Sequence, residues 1–305
     1  MITTISEYQF KISDLNVAQR KPGISAFVRV KNGEDFLRQT VVSHIAFFDE
    51  IIIVYNDCQD SSAAIIAQLL AEFPNKIKAF HYLPKVSPLG VQNNGGDTMA
   101  NYSNFALAQT SYSVATKLDD DHIAIESTLK PLVNSIRASH YQLKQEMWCF
   151  SGLNLFQQGD EVGVLKYDPM AGTGDHGFFE VTEQTYFYQG PKFELFKHQH
   201  LKRVFKCIDY LHLKHLKQGG GFLNYDLSNN PDSRYANKKV KFDSEAQMVS
   251  LAQFFKQNRI YQWLTWSACF LPEKLAIILL RRAALSRDCE ANFQEIKQII
   301  LTIKR

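Results

Sequence analysis

The sequence predicts an α/β fold in which a mainly parallel central sheet carries helices on both faces and is followed by a helical tail. Short apolar runs alternate with segments of helical spacing four times between residues 24 and 118. One of these runs, Glu50–Tyr55, is apolar almost throughout, as expected of a strand buried on both faces. Residues 244–305 show helical spacing and few glycines, which predicts two or three helices.

The elements of the first half follow from these patterns in chain order. We predict strand 24–30, helix 34–48, strand 50–55, helix 63–73, strand 77–82, helix 98–109 and strand 113–118. The loop at 56–62 is rich in Asn, Asp and Ser, whose side chains accept hydrogen bonds from the free N–H groups of a following helix. Because strands and helices alternate, the crossovers should be right-handed and the sheet mainly parallel.

The predicted loops at 31–34, 56–62 and 119–122 all follow the carboxyl ends of strands. In open parallel sheets, ligands bind beyond those ends. We therefore expect the polar side chains of the three loops to meet in one crevice. The second half is harder to order, although the aromatic runs Met147–Phe150 and Thr185–Tyr188 predict further strands.

Composition limits the class of protein. The chain has 305 residues, of which 45% are hydrophobic and 12% aromatic, enough for a large core. A net charge of +3 falls short of the clustered basicity of nucleic-acid binders, so we expect no nucleic-acid partner. Five scattered cysteines favour a reducing compartment, and the first residues show no signal-peptide pattern, so we expect a cytoplasmic protein.

Three consecutive carboxylates, Asp119, Asp120 and Asp121, follow the fourth apolar strand. They repel one another unless a cation supplies compensating charge. Oxygen ligands suit Mg²⁺ or Mn²⁺, and Mg²⁺ commonly fills its remaining positions with water and substrate phosphate. The run therefore predicts a site for a divalent cation and a nucleoside diphosphate. The alternative is a solvated loop that caps a helix beginning near Ile123.

At this point the chain resembles the GT-A glycosyltransferases that use nucleotide-sugars, in particular their family-2-like bacterial group. The resemblance covers roughly residues 24–130 and rests on three segments in order: 24–34, 48–57 with its sequel 60–62, and Leu118-Asp119-Asp120-Asp121 as the D-x-D motif. It implies a GT-A catalytic domain at 1–240, whose nucleotide-sugar half is 24–125 and whose acceptor half is 146–225. A C-terminal helical extension would cover 241–305.

The resemblance also implies roles for individual residues. Asp119 would face the ribose or the donor sugar, Asp121 would ligate the metal, and Lys117 and Asp120 belong to the same donor-binding run. The residues implied to border the nucleoside and its base are Arg29, Asn32, Glu34, Asp57 and Asn104. One departure is that the second strand ends in Asn56-Asp57, where the group often has paired acids.

Acceptor chemistry requires a base that takes a proton from a hydroxyl group. The glycine-flanked segment 172–177 contains Asp175 and His176, which we predict to be catalytic, with Asp175 as the base. An Asp in such a segment also suits a plain turn. Glu180 and Glu183 are reserve candidates for the base.

A second polar segment follows an apolar run at 210–217. Many GT-A enzymes complete the metal site with a late histidine, which His212 or His215 resembles. Lys214 and Lys217 could neutralise the leaving diphosphate. The adjacent Gly219-Gly220-Gly221 predicts either a mobile lid or an exposed linker.

The tail combines apolar and basic residues. They are Trp263, Leu264, Trp266, Phe270, Leu271, Lys274, Arg281, Arg282 and Arg287. We expect core packing to explain this pattern, with contact between a basic amphipathic helix and an anionic membrane as the alternative.

The predicted function is a metal-dependent hexosyltransferase that moves a sugar from a nucleoside diphosphate, UDP above all, to a hydroxyl of a bacterial surface glycan or glycolipid. Its partners would be the donor and a saccharide or lipid-linked acceptor, reached at the inner face of the membrane. One rival is a sugar-phosphate nucleotidylyltransferase, although residues 30–35 contain few of the glycines of its phosphate loop. A non-catalytic nucleotide- or carbohydrate-binding protein is the other.

Overall fold

The computed structural model describes residues 1–87, 96–172, 176–190, 194–225, 227–229 and 231–303. Within these ranges the strands are β1 Thr3–Ile5, β2 Lys21–Val30, β3 Glu50–Tyr55, β4 Ile77–Tyr82, β5 Tyr112–Leu118, β6 His122–Ala124, β7 Glu146–Gln158, β8 Glu161–Leu165, β9 Met170–Ala171, β10 Gly177–Glu180, β11 Phe187–Gln189, β12 Glu194–Phe196, β13 Lys202–His212 and β14 Met248–Val249. The α-helices are α1 Leu37–His44, α2 Ser62–Glu72, α3 Met99–Ala108, α4 Glu126–Ala138, α5 Arg234–Glu245, α6 Leu251–Asn258, α7 Ile260–Trp263, α8 Glu273–Ala284 and α9 Phe293–Ile303.

One large sheet organises the chain, in the order β1-β4-β3-β2-β5-β10-β7-β13-β6. Its first five strands are parallel, as predicted. Strand β10 is inserted antiparallel between β5 and β7. Strand β13 runs parallel to β7, and β6 pairs antiparallel with β13. The predicted α/β class, with its mainly parallel sheet and helical C-terminal region, is confirmed.

Residues 51–55 of β3 form an apolar, buried run because both faces of the sheet are covered there. In β3, Ile51 and Ile53 belong to the core under α1, α2 and α4, whereas Ile52 and Val54 belong to the core under α3. Side chains alternate between faces along a strand, so a run without polar residues requires a layer on each side. This confirms helices on both faces.

Helix α1 is shorter than the predicted 34–48. Its start is displaced because residues 34–36 form a turn in which the Leu37 amide donates to Gly33 O at 3.0 Å. The Glu34 amide is already bonded to Asp60 Oδ2 at 2.9 Å. Helix α1 therefore begins after the residues that contact the loop following β3. Strand β11 also begins later than predicted, at Phe187, and pairs with β12.

The tail packs on the second half of the sheet. Leu251, Phe254, Leu285 and Ile296 share a buried cluster with Leu153 of β7. Helix α5 spans residue 241, the predicted start of the helical extension. The described part of the tail beyond α5 holds four α-helices in place of two or three. None of the helices in the described ranges is long and apolar enough to cross a bilayer.

Core packing is the wrong explanation for the three aromatic residues Trp263, Trp266 and Phe270 of this tail. Trp263, Trp266 and Phe270 are 80%, 69% and 78% exposed. We call residues 260–275, which contain them, the aromatic patch. The basic side chains of the tail mostly bond to the protein itself: Arg281 donates to Gly172 O and Arg282 to Asn258 Oδ1.

Candidate active site

The loops that follow β2, β3 and β5 converge, as the sequence predicts. The Gly33 amide donates to Ser62 Oγ at 2.8 Å, and the Gln59 amide donates to Asn32 Oδ1 at 2.7 Å. A Cβ on Gly33 would lie 2.3 Å from Asp120 Oδ2, so only glycine lets the first loop approach the acidic run this closely. These contacts place the three loops in one polar region at the carboxyl end of the sheet.

The acidic run meets the end of β13 in this region. His122 pairs with His212 in the β6–β13 ladder. One ligand atom each from Asp119, His122 and His212 lies within 4.8 Å of the other two. His122 Nε2 is 3.6 Å from Asp119 Oδ2. A carboxylate and two imidazoles at this spacing form a donor set that fits a divalent cation.

A neighbouring amide orients His212. Asn154 Nδ2 donates to Asp168 O at 2.8 Å, which turns Asn154 Oδ1 toward His212 Nδ1 at 2.7 Å. Nδ1 therefore carries a proton. Nε2 then faces Asp121 Oδ1 at 3.3 Å. Metal-ligating histidines are commonly held by a donated N–H bond of this kind.

His122 is fully buried against Tyr210, with ring centroids 3.8 Å apart and planes 23° apart. Burial lowers the pKa of His122 well below its usual range, so the ring is neutral. Neither ring nitrogen has a hydrogen-bond partner among the described residues. A buried polar atom without a partner costs about 1–3 kcal/mol, so this arrangement calls for a ligand or a function.

Lys217 supplies the cation closest to the other two carboxylates. Its Nζ lies 2.7 Å from Asp120 Oδ1 and 3.0 Å from Asp121 Oδ2, and all three side chains are largely buried. Burial opposes ionisation of Asp121, but Lys217 and His212 hold its pKa well below the usual range. Burial raises the pKa of Asp120 to about 6 despite the same lysine. The three groups share one buried ionic cluster.

Asp119 is the most exposed of the three acids, with 36% of its side chain accessible. Burial opposes its ionisation, yet the positive charges around it, Lys117 first, hold its pKa well below the usual range. Lys117 Nζ is 3.5 Å from Asp119 Oδ1. Asp119 is therefore ionised, partly accessible and next to two histidines.

Among the residues expected to border the nucleoside, Arg29 forms a salt bridge with Glu194 at 2.8 Å and is one of the charges that act on Asp119. Asn32 donates to Asn224 Oδ1 at 2.9 Å. Asp57 is exposed and pairs with Lys31 at 3.0 Å. The structure thus brings Arg29 and Asn32 to the site region, while Asp57 lies at its exposed margin.

Glu34 and Asn104, which were also expected to border the nucleoside, form hydrogen bonds within the protein. Glu34 Oε2 accepts the Ser61 amide at 3.0 Å at the start of α2. Asn104 is buried, with its side-chain nitrogen bonded to Phe187 O at 2.8 Å and its oxygen to the Phe187 amide at 2.7 Å. Both ends of the amide thus have a backbone partner, and a contact between Asn104 and a base stays a prediction.

The segment 214–225 lies over the loop that follows β2. The Gln218 amide donates to Asp35 Oδ2 at 3.0 Å. Lys214 Nζ faces the rings of Phe222, Tyr225 and Tyr235 at 5.2, 5.4 and 5.9 Å, and burial lowers its pKa to about 8. Gly219, Gly220 and Gly221 all have positive φ. The mobile lid stays a prediction. In the structure, this segment contacts the loop that follows β2.

His215 lies apart from the three-donor group. Its ring stacks on Phe242 with centroids 5.1 Å apart, and burial lowers its pKa to about 3. Its role as a metal ligand is a prediction without support from the geometry, in contrast to that of His212.

The predicted base Asp175 lies outside the described residues. His176 is buried, with its ring 5.5 Å from that of His122. Glu180 lies far away, because it pairs with Val114 near the start of β5. With Glu183 it lines a separate cavity of about 390 Å³. The reserve candidates are therefore at the wrong end of β5, roughly 16 Å from Asp119 at about 3.3 Å per residue.

Several site residues escaped sequence reasoning. His122 follows the acidic triplet directly, and its position beside three aspartates was a usable signal. Asn154, Tyr210 and Glu194 carried no such signal, because their contacts are made with residues 58, 88 and 165 positions away.

Comparisons with known proteins give weak similarities. No family profile matches the chain, and no curated protein matches its sequence. Among solved structures, residues 1–349 of S. aureus TarS are 14% identical with a TM-score of 0.37, over 80% of each chain. The Mycobacterium tuberculosis glucosyl-3-phosphoglycerate synthase, in complex with Mn²⁺, UDP-glucose and phosphoglyceric acid, is 16% identical with a TM-score of 0.28, over 52% of each chain. Likeness at this level establishes no activity for the chain.

Proposed function

We propose that the chain is a glycosyltransferase that takes its sugar from a nucleoside diphosphate, preferably UDP, with the help of a divalent cation. The observation that carries this proposal is the grouping of Asp119, His122 and His212 within 4.8 Å at the carboxyl end of β5. Ligands of open parallel sheets bind at that end. A cation held there by few protein ligands retains open positions for phosphate oxygens.

The neighbouring residues suit the same donor. Lys217 is a largely buried ammonium within 3.0 Å of Asp120 and Asp121, the two residues that follow Asp119 of the proposed cation site. Lys214 is the second buried ammonium of that segment. Positive groups placed where the leaving diphosphate gains charge stabilise the transition state. When bound, the cation would neutralise the same charge. Asp175 remains the proposed base and His176 its neighbour.

Nucleotide-sugars are expected to raise the thermal stability of the purified protein in the presence of Mn²⁺. A ligand that binds only the folded state stabilises it by about 2.7 kcal/mol at a concentration of 100 Kd. A thermal-shift screen of UDP-, GDP-, ADP- and dTDP-sugars with and without Mn²⁺ measures this effect. We expect the largest shift with a UDP-sugar and Mn²⁺ together, followed by slow release of UDP.

Two outcomes of that screen would count against the proposal. Absence of a shift with every nucleotide-sugar would exclude a donor site of this kind. A shift without any release of nucleotide, even with added acceptor saccharides, would favour the non-catalytic binding protein. Formation of nucleotide-sugar from sugar phosphate and nucleoside triphosphate would instead identify a nucleotidylyltransferase.

We also propose that the acceptor is a surface glycan or glycolipid precursor at the cytoplasmic face of a membrane. The aromatic patch supports this, because it presents Trp263, Trp266 and Phe270 to solvent on one short segment. No charged residue lies between Ile260 and Pro272. Tryptophan and other aromatic side chains favour the interfacial region of bilayers. The acceptor would then reach the site from the bilayer surface.

Replacing Trp263, Trp266 and Phe270 together by serine is expected to reduce binding to phospholipid vesicles at least tenfold. Each aromatic side chain contributes about 1.5–3 kcal/mol when it is fully buried, and partial insertion of three exceeds the 1.4 kcal/mol that corresponds to tenfold. Flotation with neutral and anionic vesicles measures this. Because Arg281 and Arg282 bond inward, the anionic lipid should change binding little.

The matched control is Val240→Ser, which removes a 67% exposed apolar side chain elsewhere on the surface. It should leave flotation unchanged. Wild-type protein that fails to float, or a triple variant that floats equally well, would contradict membrane contact through the aromatic patch.

A further inference from the structure

The cation site differs in composition from the carboxylate site that the acidic triplet suggests. Of the three aspartates, Asp120 and Asp121 already share the ammonium of Lys217 at 2.7 and 3.0 Å. That leaves Asp119 as the acid with an accessible carboxylate. The donors nearest to Asp119 in the three-donor group are imidazole nitrogens. The three-donor group is therefore rich in nitrogen, with two imidazoles and one carboxylate.

We propose that Asp119, His122 and His212 bind a transition-metal ion such as Co²⁺, Fe²⁺ or Zn²⁺ in preference to Mg²⁺, with Lys217 as the fixed counter-ion of Asp120 and Asp121. The proposal deepens the proposed function by naming the class of its cation. His122 becomes a metal ligand, and Asp121 is removed from the ligand set that the sequence predicts.

His122 provides the first argument. It is fully buried, and its two ring nitrogens have no hydrogen-bond partner among the residues of the described ranges. Buried polar side chains are nearly always satisfied, so an unsatisfied ring beside a carboxylate indicates a ligand that the protein itself does not supply. The ring stacks on Tyr210, which fixes its orientation and prevents it from turning to another partner.

The second argument is independent and comes from His212. Asn154 Oδ1 accepts the Nδ1 proton at 2.7 Å, which directs Nε2 toward the acidic run. An oxygen acceptor behind the ring is the usual second-shell support of a ligating histidine.

The composition of the donor set decides the class of ion. Imidazole suits Fe, Ni, Cu and Zn, whereas Mg²⁺ prefers carboxylate, carbonyl and water. Mg²⁺ also requires nearly ideal octahedral oxygen coordination. Two imidazoles and one carboxylate therefore favour a transition metal, and Mn²⁺, which accepts both donor types, should bind between Mg²⁺ and Co²⁺.

The test is metal binding by the nucleotide-free protein, with Co²⁺ as a spectroscopic probe and Mg²⁺ as competitor. We expect Co²⁺ to bind at least tenfold more tightly than Mg²⁺. His122→Phe should keep the ring stack and weaken Co²⁺ binding by at least about tenfold, the scale of lost support at metal sites. Asp119→Asn should weaken Co²⁺ binding more than Asp121→Asn does.

The matched control is His81→Phe, which replaces a histidine that stacks on Tyr55 with centroids 4.5 Å apart, as His122 stacks on Tyr210. Its Co²⁺ affinity should be that of the wild type. The thermal stability of metal-free His122→Phe should not fall, because its lost nitrogens made no hydrogen bond.

Three outcomes would overturn the proposal: equal affinity for Mg²⁺ and Co²⁺, unchanged Co²⁺ binding by folded His122→Phe, or a greater loss in Asp121→Asn than in Asp119→Asn. Because no nucleotide is present, failure of this test is distinct from failure of the proposed transferase activity. Conversely, Co²⁺ binding as expected would stand even if no nucleotide-sugar were a substrate.

Discussion

Replacing Asp119 by asparagine is expected to lower the release of UDP from the donor sugar about 1000-fold, equivalent to about 4 kcal/mol of transition-state stabilisation. Asp119 is the accessible carboxylate of the three-donor group and is held ionised by Lys117 and the charges around it. Asparagine keeps the shape of the side chain and removes its charge. Single-turnover measurements with saturating UDP-sugar and metal would give the rate of the chemical step.

Asp243→Asn is the matched control, because Asp243 is 56% exposed on α5 and forms its ion pair with the neighbouring Lys239. Its turnover should equal that of the wild type. If Asp119→Asn retained more than about a tenth of the rate, the cation would have no role in the chemistry, and the D-x-D interpretation of this run would be wrong.

The sheet could be predicted where its contacts are local in the sequence. Strands β2, β3, β4 and β5 are apolar runs separated by helices, and the β-α alternation itself implies their parallel order. The place of β10 in the sheet could not be predicted, because Phe178 pairs with Thr116 across 62 positions. The antiparallel insertion of β10 also depends on which edge of β5 is free to pair. Non-local pairing carries no periodic signal.

The candidate site likewise combines features that are local in the sequence, which could be predicted, with non-local contacts, which could not. The convergence of the loops after β2, β3 and β5 was predictable, because parallel strands deliver their carboxyl ends to one edge. The selection of His212 over His215 was not, since it depends on the register that pairs His212 with His122. The pairing of Lys217 with Asp120 was equally hidden, because it joins residues 97 positions apart.

The aromatic patch shows that apolar composition alone does not predict whether a side chain is buried. Trp263, Trp266 and Phe270 have the apolar character of a core, and their spacing is compatible with a packed helix. They are nevertheless exposed, whereas Arg281 of the following helix α8 turns inward onto Gly172. A sequence pattern identifies an apolar face but not the surface that covers it.

Lys217→Met is expected to lower the free energy of unfolding at pH 7 by about 3–5 kcal/mol, the usual cost of removing one partner from a buried ion pair. Methionine retains most of the apolar stem, so the loss reports the charge. Lys217 is largely buried, and its ammonium is the nearest cation to both Asp120 and Asp121. Without it, two neighbouring carboxylates remain buried and repel each other. Urea denaturation of metal-free protein measures the difference.

The sign of the pH dependence distinguishes this charge effect from lost packing. In the wild type, Lys217 lowers the pKa of Asp121, so that contribution is present above the unfolded carboxyl pKa of about 3.9 and is lost as the pH falls through the lowered value. The raised pKa of Lys217 makes its own contribution present below about 10.4 and lost only at higher pH. The favourable contribution of the Asp121–Lys217 pair is therefore fully present between about pH 4 and 10.

In the variant, the carboxylates can escape repulsion only by protonation. The pKa of Asp120 is raised to about 6 even with Lys217 present, and loss of the lysine raises it further. The destabilisation of Lys217→Met should therefore shrink between pH 7 and pH 5, because protonation relieves the repulsion. Lys239→Met, whose partner Asp243 is exposed, should cost no more than about 1 kcal/mol at either pH. A Lys217→Met penalty that stayed the same at pH 5 would mean that the methylene packing of this side chain, and not its charge, holds the acidic run together.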